Sequence, residues 1–147
     1  MSRLIVLTLL LCFITQIHSK TFSRCELFYE LLRQGFPRRQ IKDWICLVES
    51  ESSGATHVVG NGNVDDSLDY GLFQINSRYW CTIHGNPGNG CNVRCNELLS
   101  DDISKASACA KIIYGVHGFN AWVGWVRKCQ GRHIPDTNFG SCGTPGR

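Results

Sequence analysis

Two carboxylates stand out by the company they keep. Glu51 closes the stretch Asp43-Trp44-Ile45-Cys46-Leu47-Val48-Glu49-Ser50-Glu51-Ser52-Ser53. Ile41, Trp44, Ile45 and Val48 fall at i, i+3, i+4 and i+7, which predicts one apolar helix face. Glu51 extends that face by one more turn, so a carboxyl group follows the buried stripe. It also falls at the helix end, where the macrodipole is negative. Low dielectric and the dipole both disfavour its ionised form, so its pKa should rise. Asp69 has the opposite setting. In a strand it shares a face with Ser67, near Gln74 and several Asn residues, and polar surroundings keep a carboxylate ionised. A neutral carboxyl can donate a proton, and an ionised one can steady a positive charge or attack an electrophile. Each residue also has an ordinary reading, Glu51 as a partly exposed helix-end residue and Asp69 as a turn cap.

The elements that would position them follow from local signals. Ser23 and Glu26 form a capping-box pattern ahead of an apolar helical face at Cys25, Leu27, Phe28, Leu31 and Leu32. Gly35 suits the end of that helix, and Pro37 suits the first turn of the next, which carries Glu51. Residues 54–67 change character to Gly, Asn, Asp and Val. Asn61-Gly62 predicts a tight hairpin turn between short strands, with a second turn near Asp65-Asp66-Ser67. Such a sheet is too small to stand alone. Tyr79 and Trp80 offer flat apolar faces with polar edges, suited to sugar rings, although Trp80 can equally be a packed core ring. Residues 82–95 read as loop. Asp101 or Asp102 caps a helix over residues 103–116, with Ala108, Cys109, Ile112 and Ile113 facing inward. A further helix from Asn120 places Trp122, Trp125, Val126 and Cys129 on one face. Residues 130–147 are irregular and tied down by Cys142.

Composition bounds the class. Met1-Ser2-Arg3, the apolar run from Leu4 to Ile14 and the small residue Ser19 form a secretory signal pattern. Residues 1–19 are therefore read as a leader and residues 20–147 as one exported domain. The apolar run is shorter than the roughly 20 residues of a membrane span. Of nine cysteines, Cys12 lies in the leader. Eight in an exported chain predict four disulfides, and spacing alone leaves their pairing open. A zinc cluster is the rival, but the cysteines lack paired short C-x-x-C spacing. Loss of Arg3 with the leader leaves 14 basic against 12 acidic residues, a charge of +2. That suits weak attraction to anionic bacterial surfaces and argues against nucleic acid. His57, His84, His117 and His133 are scattered and form no metal set, and no cofactor motif is present.

Glu51, the block Asp69-Tyr70-Gly71-Leu72-Phe73-Gln74-Ile75-Asn76-Ser77-Arg78-Tyr79-Trp80-Cys81 and the cysteine order together resemble the chicken-type (c-type) lysozymes, glycoside hydrolase family 22. The opening Lys20-Thr21-Phe22-Ser23-Arg24-Cys25-Glu26-Leu27 looks most like insect members. The resemblance covers essentially the whole mature chain. It implies an α+β fold, with a helical lobe and a small antiparallel β-lobe flanking a cleft. It implies the bridges Cys25–Cys142, Cys46–Cys129, Cys81–Cys95 and Cys91–Cys109. It also implies a retaining muramidase that cleaves β-1,4 links between N-acetylmuramic acid and N-acetylglucosamine, with Glu51 and Asp69 catalytic. Gln74 and Asn76 match cleft positions. Asn76, Tyr79, Trp80 and Ala121 match groups that bind N-acetylated sugars, and Trp122 the indole that desolvates the acid. Asn61 and Ser67 align with polar residues around the aspartate. The implied partner is bacterial peptidoglycan, with chitin oligomers as a further substrate, and the implied form is a secreted monomer.

Departures are also visible. Gly115 stands near a position where some members carry an acidic residue for the outermost sugars. The carboxylate positions of calcium-binding relatives fall on Ser100, Lys105 and Ala106, which predicts no tight calcium site. The α-lactalbumins share this fold, so a binding protein or a glycosyltransferase modulator is the alternative. A purely structural disulfide-rich protein is a third, but it leaves a carboxylate on an apolar helix face unexplained.

Overall fold

The computed structural model describes residues 19–134 and Cys142. The leader before residue 19 and the rest of the C-terminal tail lie outside the described residues. Helix α1 spans Arg24–Arg33 and starts on the expected reciprocal cap. The Ser23 hydroxyl accepts the Glu26 N–H, and the Glu26 carboxylate accepts the Ser23 N–H at 2.8 Å. It ends in a Schellman motif. The Gly35 N–H reaches Leu32 O and the Phe36 N–H reaches Leu31 O, with Gly35 at φ +81°. Phe36 is thereby folded back into the core.

The next helix does not begin directly at Pro37. A 3-10 turn over Arg38–Gln40 intervenes, and helix α2 then runs Ile41–Ser52. Its predicted stripe is buried: Ile41, Trp44, Ile45 and Val48, joined by Leu47. Trp44 is the hub. Phe36, Phe73, Tyr114, Phe119 and Trp122 ring it, with centroids 4.7–6.0 Å away. The core therefore joins α2 to segments from both halves of the chain.

Three two-residue strands form an antiparallel sheet in the order β1 (Val59–Gly60), β2 (Asp69–Tyr70), β3 (Ile75–Asn76). Register pairs Gly60 with Asp69 and Asp69 with Asn76. The expected tight turn at Asn61-Gly62 is not formed. With Val59 opposite Tyr70, residues 61–68 make one long loop instead. Asp65 organises that loop by accepting both the N–H and the hydroxyl of Ser67. The turn near Asp65-Asp66-Ser67 is thus present, and it is built on a side chain. The buried Ser52 hydroxyl donates to Leu72 O at 2.8 Å, which fastens the end of α2 to the β2–β3 connection.

Helix α3 covers Ser104–His117. Asp102 accepts the Ser104 N–H, so it is the partner at the helix start. The inward face is Ala106, Ser107, Cys109, Ala110 and Ile113. Ala108 and Ile112, expected inward, point to solvent. Cys109 is fixed inward by its bridge to Cys91, and a rotation of about 100° per residue carries those two off the buried stripe. The helix expected from Asn120 is broken. Gly118–Ala121 is a 3-10 turn, Trp122 is extended, and helix α4 covers only Val123–Lys128. The break drops the Trp122 indole into the core while Val126 is left 39% exposed. Trp125 is half-buried, stacked on Phe119 at 5.0 Å.

Four disulfides join Cys25 to Cys142, Cys46 to Cys129, Cys81 to Cys95 and Cys91 to Cys109. The first closes a span of 117 residues, worth on the order of 4–5 kcal/mol in the chain-entropy account. The last two pin the loop after Trp80. Among the described residues no helix is long and apolar enough to cross a membrane.

Candidate active site

A groove runs between the sheet side and the helical side. Its inner part, about 530 Å³, is lined by Glu51, Asn63, Asp69, Gln74, Asn76 and Trp122, among others. Its outer part, about 1000 Å³, is lined by Asn63, Asp65, Arg78, Tyr79, Trp80 and His117, among others. Asn63, Asn76, Trp80 and Ala121 line both parts, so the two are one continuous channel.

Glu51 sits in the last turn of α2, half-buried. Burial pushes its pKa above the ordinary 4.5, and the negative charge of Asp69 adds to the rise. The Gly124 N–H, donated to Oε1 at 2.9 Å, and the charge of Lys128 act in the other direction. That N–H belongs to the first turn of α4, where helix N–H groups have no partner inside the helix. Trp122, only 4% exposed, shares the groove wall with Glu51. Its Nε1–H donates to Phe73 O at 2.8 Å, which fixes the ring plane.

Asp69 stands on β2, and both of its oxygens are occupied. Asn63 donates its amide to Oδ2 at 2.9 Å, and Asn76 donates its amide to Oδ1 at 2.8 Å. The Asn76 amide also reaches the Ser67 hydroxyl, which donates onward to Asp65. Asp65 is paired with Arg78 at 2.7 Å, and the Ser67 hydroxyl and Arg78 hold its carboxyl well below the usual range. The guanidinium of Arg78 lies over the Tyr79 ring at 5.6 Å. Asp69 therefore ends a polar chain that runs out along the groove floor.

Most of the residues singled out from the sequence converge here: Glu51, Asp69, Ser67, Gln74, Asn76, Tyr79, Trp80, Ala121 and Trp122. Tyr79 is 62% exposed on the rim, and Trp80 is half-buried beneath it. Gln74 is turned partly to structural use, with its amide donating to Val58 O and Gly71 O. Asn61 stands apart, exposed on the loop, and the amide that reaches Asp69 belongs to Asn63. The long loop explains the offset: a two-residue turn at Asn61-Gly62 would have paired Gly60 with Asn63, whereas Gly60 pairs with Asp69 and Asn63 is left free in the loop to turn its amide to that carboxylate.

Several groove residues carried no readable signal. His117 meets Trp80 edge-on at 5.9 Å and lines the outer groove from the last turn of α3. Asn120 lines the same part. Gly124 contributes through its backbone alone, and only the break at Trp122 could have announced it.

A cleft with one half-buried carboxyl and one amide-held carboxyl, flanked by aromatic rings, suits the chemistry of a two-carboxylate glycoside hydrolase. Comparison with known proteins agrees. The model of the C-type lysozyme/alpha-lactalbumin family matches residues 20–142. A lysozyme of Galleria mellonella is 53% identical over 117 residues, 80% of this chain and 97% of that one. A lysozyme of Bombyx mori is 49% identical over 136 residues, 92% of this chain and 97% of that one. Lysozyme c-1 of Anopheles gambiae is 45% identical over 124 residues, 84% of this chain and 86% of that one. The chain belongs to the C-type lysozyme/alpha-lactalbumin family, and its function is that of a lysozyme, a glycoside hydrolase.

Proposed function

We propose that the protein cleaves the β-1,4 link between N-acetylmuramic acid and N-acetylglucosamine in bacterial peptidoglycan, with Glu51 and Asp69 as its catalytic pair. Lysozymes are the type case of this two-carboxylate logic, and its application here rests on the groove of this chain. Glu51, whose hold on its proton is strengthened by burial and by the neighbouring anion, gives that proton to the departing glycosidic oxygen. Asp69 accepts two amide N–H bonds, the acceptor-only pattern of an ionised carboxylate. It attacks or stabilises the oxocarbenium-like carbon. Glu51, now a base, activates water on the same face, so configuration is retained.

The remaining groove residues bind the sugar chain. Tyr79 and Trp80 present ring faces to the C–H faces of the sugars, and the small side chain of Ala121 leaves room in the same groove. Asn76, backed by Ser67, holds Asp69 in position, Gln74 shapes the floor, and Asn63 supplies the loop amide expected from Asn61. Chitin oligomers share the N-acetylated sugars and are a second, neutral substrate. Residues 1–19 act as a leader removed before Lys20, and the domain from Lys20 works outside the cell as a monomer. Four disulfides fit an oxidising compartment.

The observation that carries this reading is the pair itself: a half-buried carboxyl with a raised pKa, facing an amide-held carboxylate in one groove. The test is clearing of Gram-positive cell walls by Glu51→Gln and Asp69→Asn, each checked for native circular dichroism. A loss of about 10³-fold or more in Glu51→Gln is expected. A folded variant that keeps its activity would overturn the acid assignment.

A further inference from the structure

The Asp101-Asp102 pair divides between two tasks. Asp102 serves helix α3 through the Ser104 N–H. Asp101 faces the start of the domain instead. Its Oδ1 accepts the backbone N–H of Lys20 at 2.9 Å and the Thr56 hydroxyl at 2.7 Å. Thr56 is fully buried. Its N–H donates to Lys20 O at 2.9 Å, and its hydroxyl lies 3.1 Å from the same carbonyl. Thr21 then bridges antiparallel to Ala55, and the Phe22 N–H donates to Gly54 O. Lys20 is thus held on its carbonyl side by backbone pairing, and its nitrogen is aimed at a carboxylate 81 residues away.

In the full-length chain this nitrogen is a neutral amide. Hydrolysis of the Ser19–Lys20 bond adds water across it. Ser19 leaves with the carboxylate, and Lys20 keeps the nitrogen as an amine that is protonated at neutral pH. A charge then arises on an atom already in contact with Asp101. A charge-assisted hydrogen bond is roughly twice as strong as a neutral one. The Lys20 side-chain ammonium lies over the Phe22 ring at 4.3 Å, so the α-nitrogen is the group aimed at Asp101.

We infer that removal of the leader converts the Lys20–Asp101 hydrogen bond into an ion pair that fastens the mature N-terminus to the fold. The pair ties three segments together: the chain start, the Thr56 region between α2 and the sheet, and the residues leading into α3. Leader removal thereby stabilises the domain as well as releasing it. The inference goes beyond the catalytic reading and rests on scission before Lys20.

The test compares the domain starting at Lys20 with the same domain extended by Ser19, each with and without Asp101→Asn. At pH 7 the Lys20 form should melt about 4 °C higher than the extended form, and Asp101→Asn should erase that difference. NMR titration of the Lys20 α-amine should give a pKa above the usual value of about 8. Among the described residues, the carboxyls of Glu26 and Glu30 feel the charge of the Lys20 side chain, so their titration is followed beside that of the amine. Equal melting of the two forms, a difference that survives Asp101→Asn, or an α-amine at or below its usual pKa would overturn the ion pair. N-terminal mass analysis of the secreted protein tests the scission position separately. A start other than Lys20 would overturn the maturation step, whatever the lysis assay shows.

Discussion

Replacing Trp122 with Phe separates the packing of the active site from its chemistry. Trp122 is 4% exposed and meets Trp44 edge-to-face at 5.5 Å, a contact a phenyl ring can partly keep. The bond from Nε1–H to Phe73 O at 2.8 Å cannot be kept. Leaving that buried carbonyl unpaired costs about 1–3 kcal/mol. For a domain of this size each kcal/mol moves the melting temperature by about 3–6 °C, so a fall of roughly 5–15 °C is expected. The second readout is catalytic. The smaller ring opens the wall beside Glu51 to water, weakening the burial that leads its upward shift. A less desolvated Glu51 loses its proton at lower pH, so the alkaline limb of the pH–activity profile moves down. Cell-wall clearing measured across pH, beside thermal unfolding, reads both effects. A lowered melting temperature with an unmoved alkaline limb would show that Trp122 only fills space, and the desolvation argument would fail.

Other predictions follow from the same geometry. Glu51 binds its proton more tightly in the folded state, so from the ordinary 4.5 up to its raised value native stability falls as pH increases. Glu51→Gln cannot ionise, so its melting temperature relative to the parent should climb from about pH 4.5 upward and then level off; a pH-independent offset would contradict this. Asn63→Ala removes one of the two amides on Asp69 and should lower kcat by about tenfold, from one lost hydrogen bond to a charged group. Asn61→Ala should leave kcat unchanged, and equal losses in the two variants would show that the loop assignment is wrong. Millimolar calcium should not raise the melting temperature, because the Lys105 ammonium is paired with Glu97 beside Ser100 and Asp102. A clear rise would show that this pocket holds the ion.

What was legible in the sequence depended on periodicity and on local caps. The α2 stripe from Ile41 to Val48 foretold a helix that buries one face and ends on Glu51, because a 3.6-residue repeat fixes direction over several turns. Ser23 with Glu26, and Gly35, marked the ends of α1 because caps are made by near neighbours. The loop around Asn63 was not legible. Its path depends on where two-residue strands find their register, which the distant pairing of Val59 with Tyr70 decides. Helix α4 failed for a related reason. Trp122, Trp125 and Cys129 keep a helical repeat, yet the pull of the Trp122 indole into the Trp44 cluster outweighs the continuity of the helix. The rotation of α3 was not legible either: the inward side of Ala108 and Ile112 was read from apolar type alone, whereas the Cys91–Cys109 bridge, a pairing that spacing leaves open, sets which face is buried.

The most direct measurement is the titration of the Glu51 side-chain carboxyl by NMR, in the native protein and in Asp69→Asn. In the native protein the carboxyl should titrate above 4.5. Once the Asp69 charge is gone it should titrate lower, with burial still holding it above the ordinary range. A native Glu51 that titrates at or below 4.5, or one indifferent to Asp69, would refute the pairing of a desolvated acid with a neighbouring carboxylate.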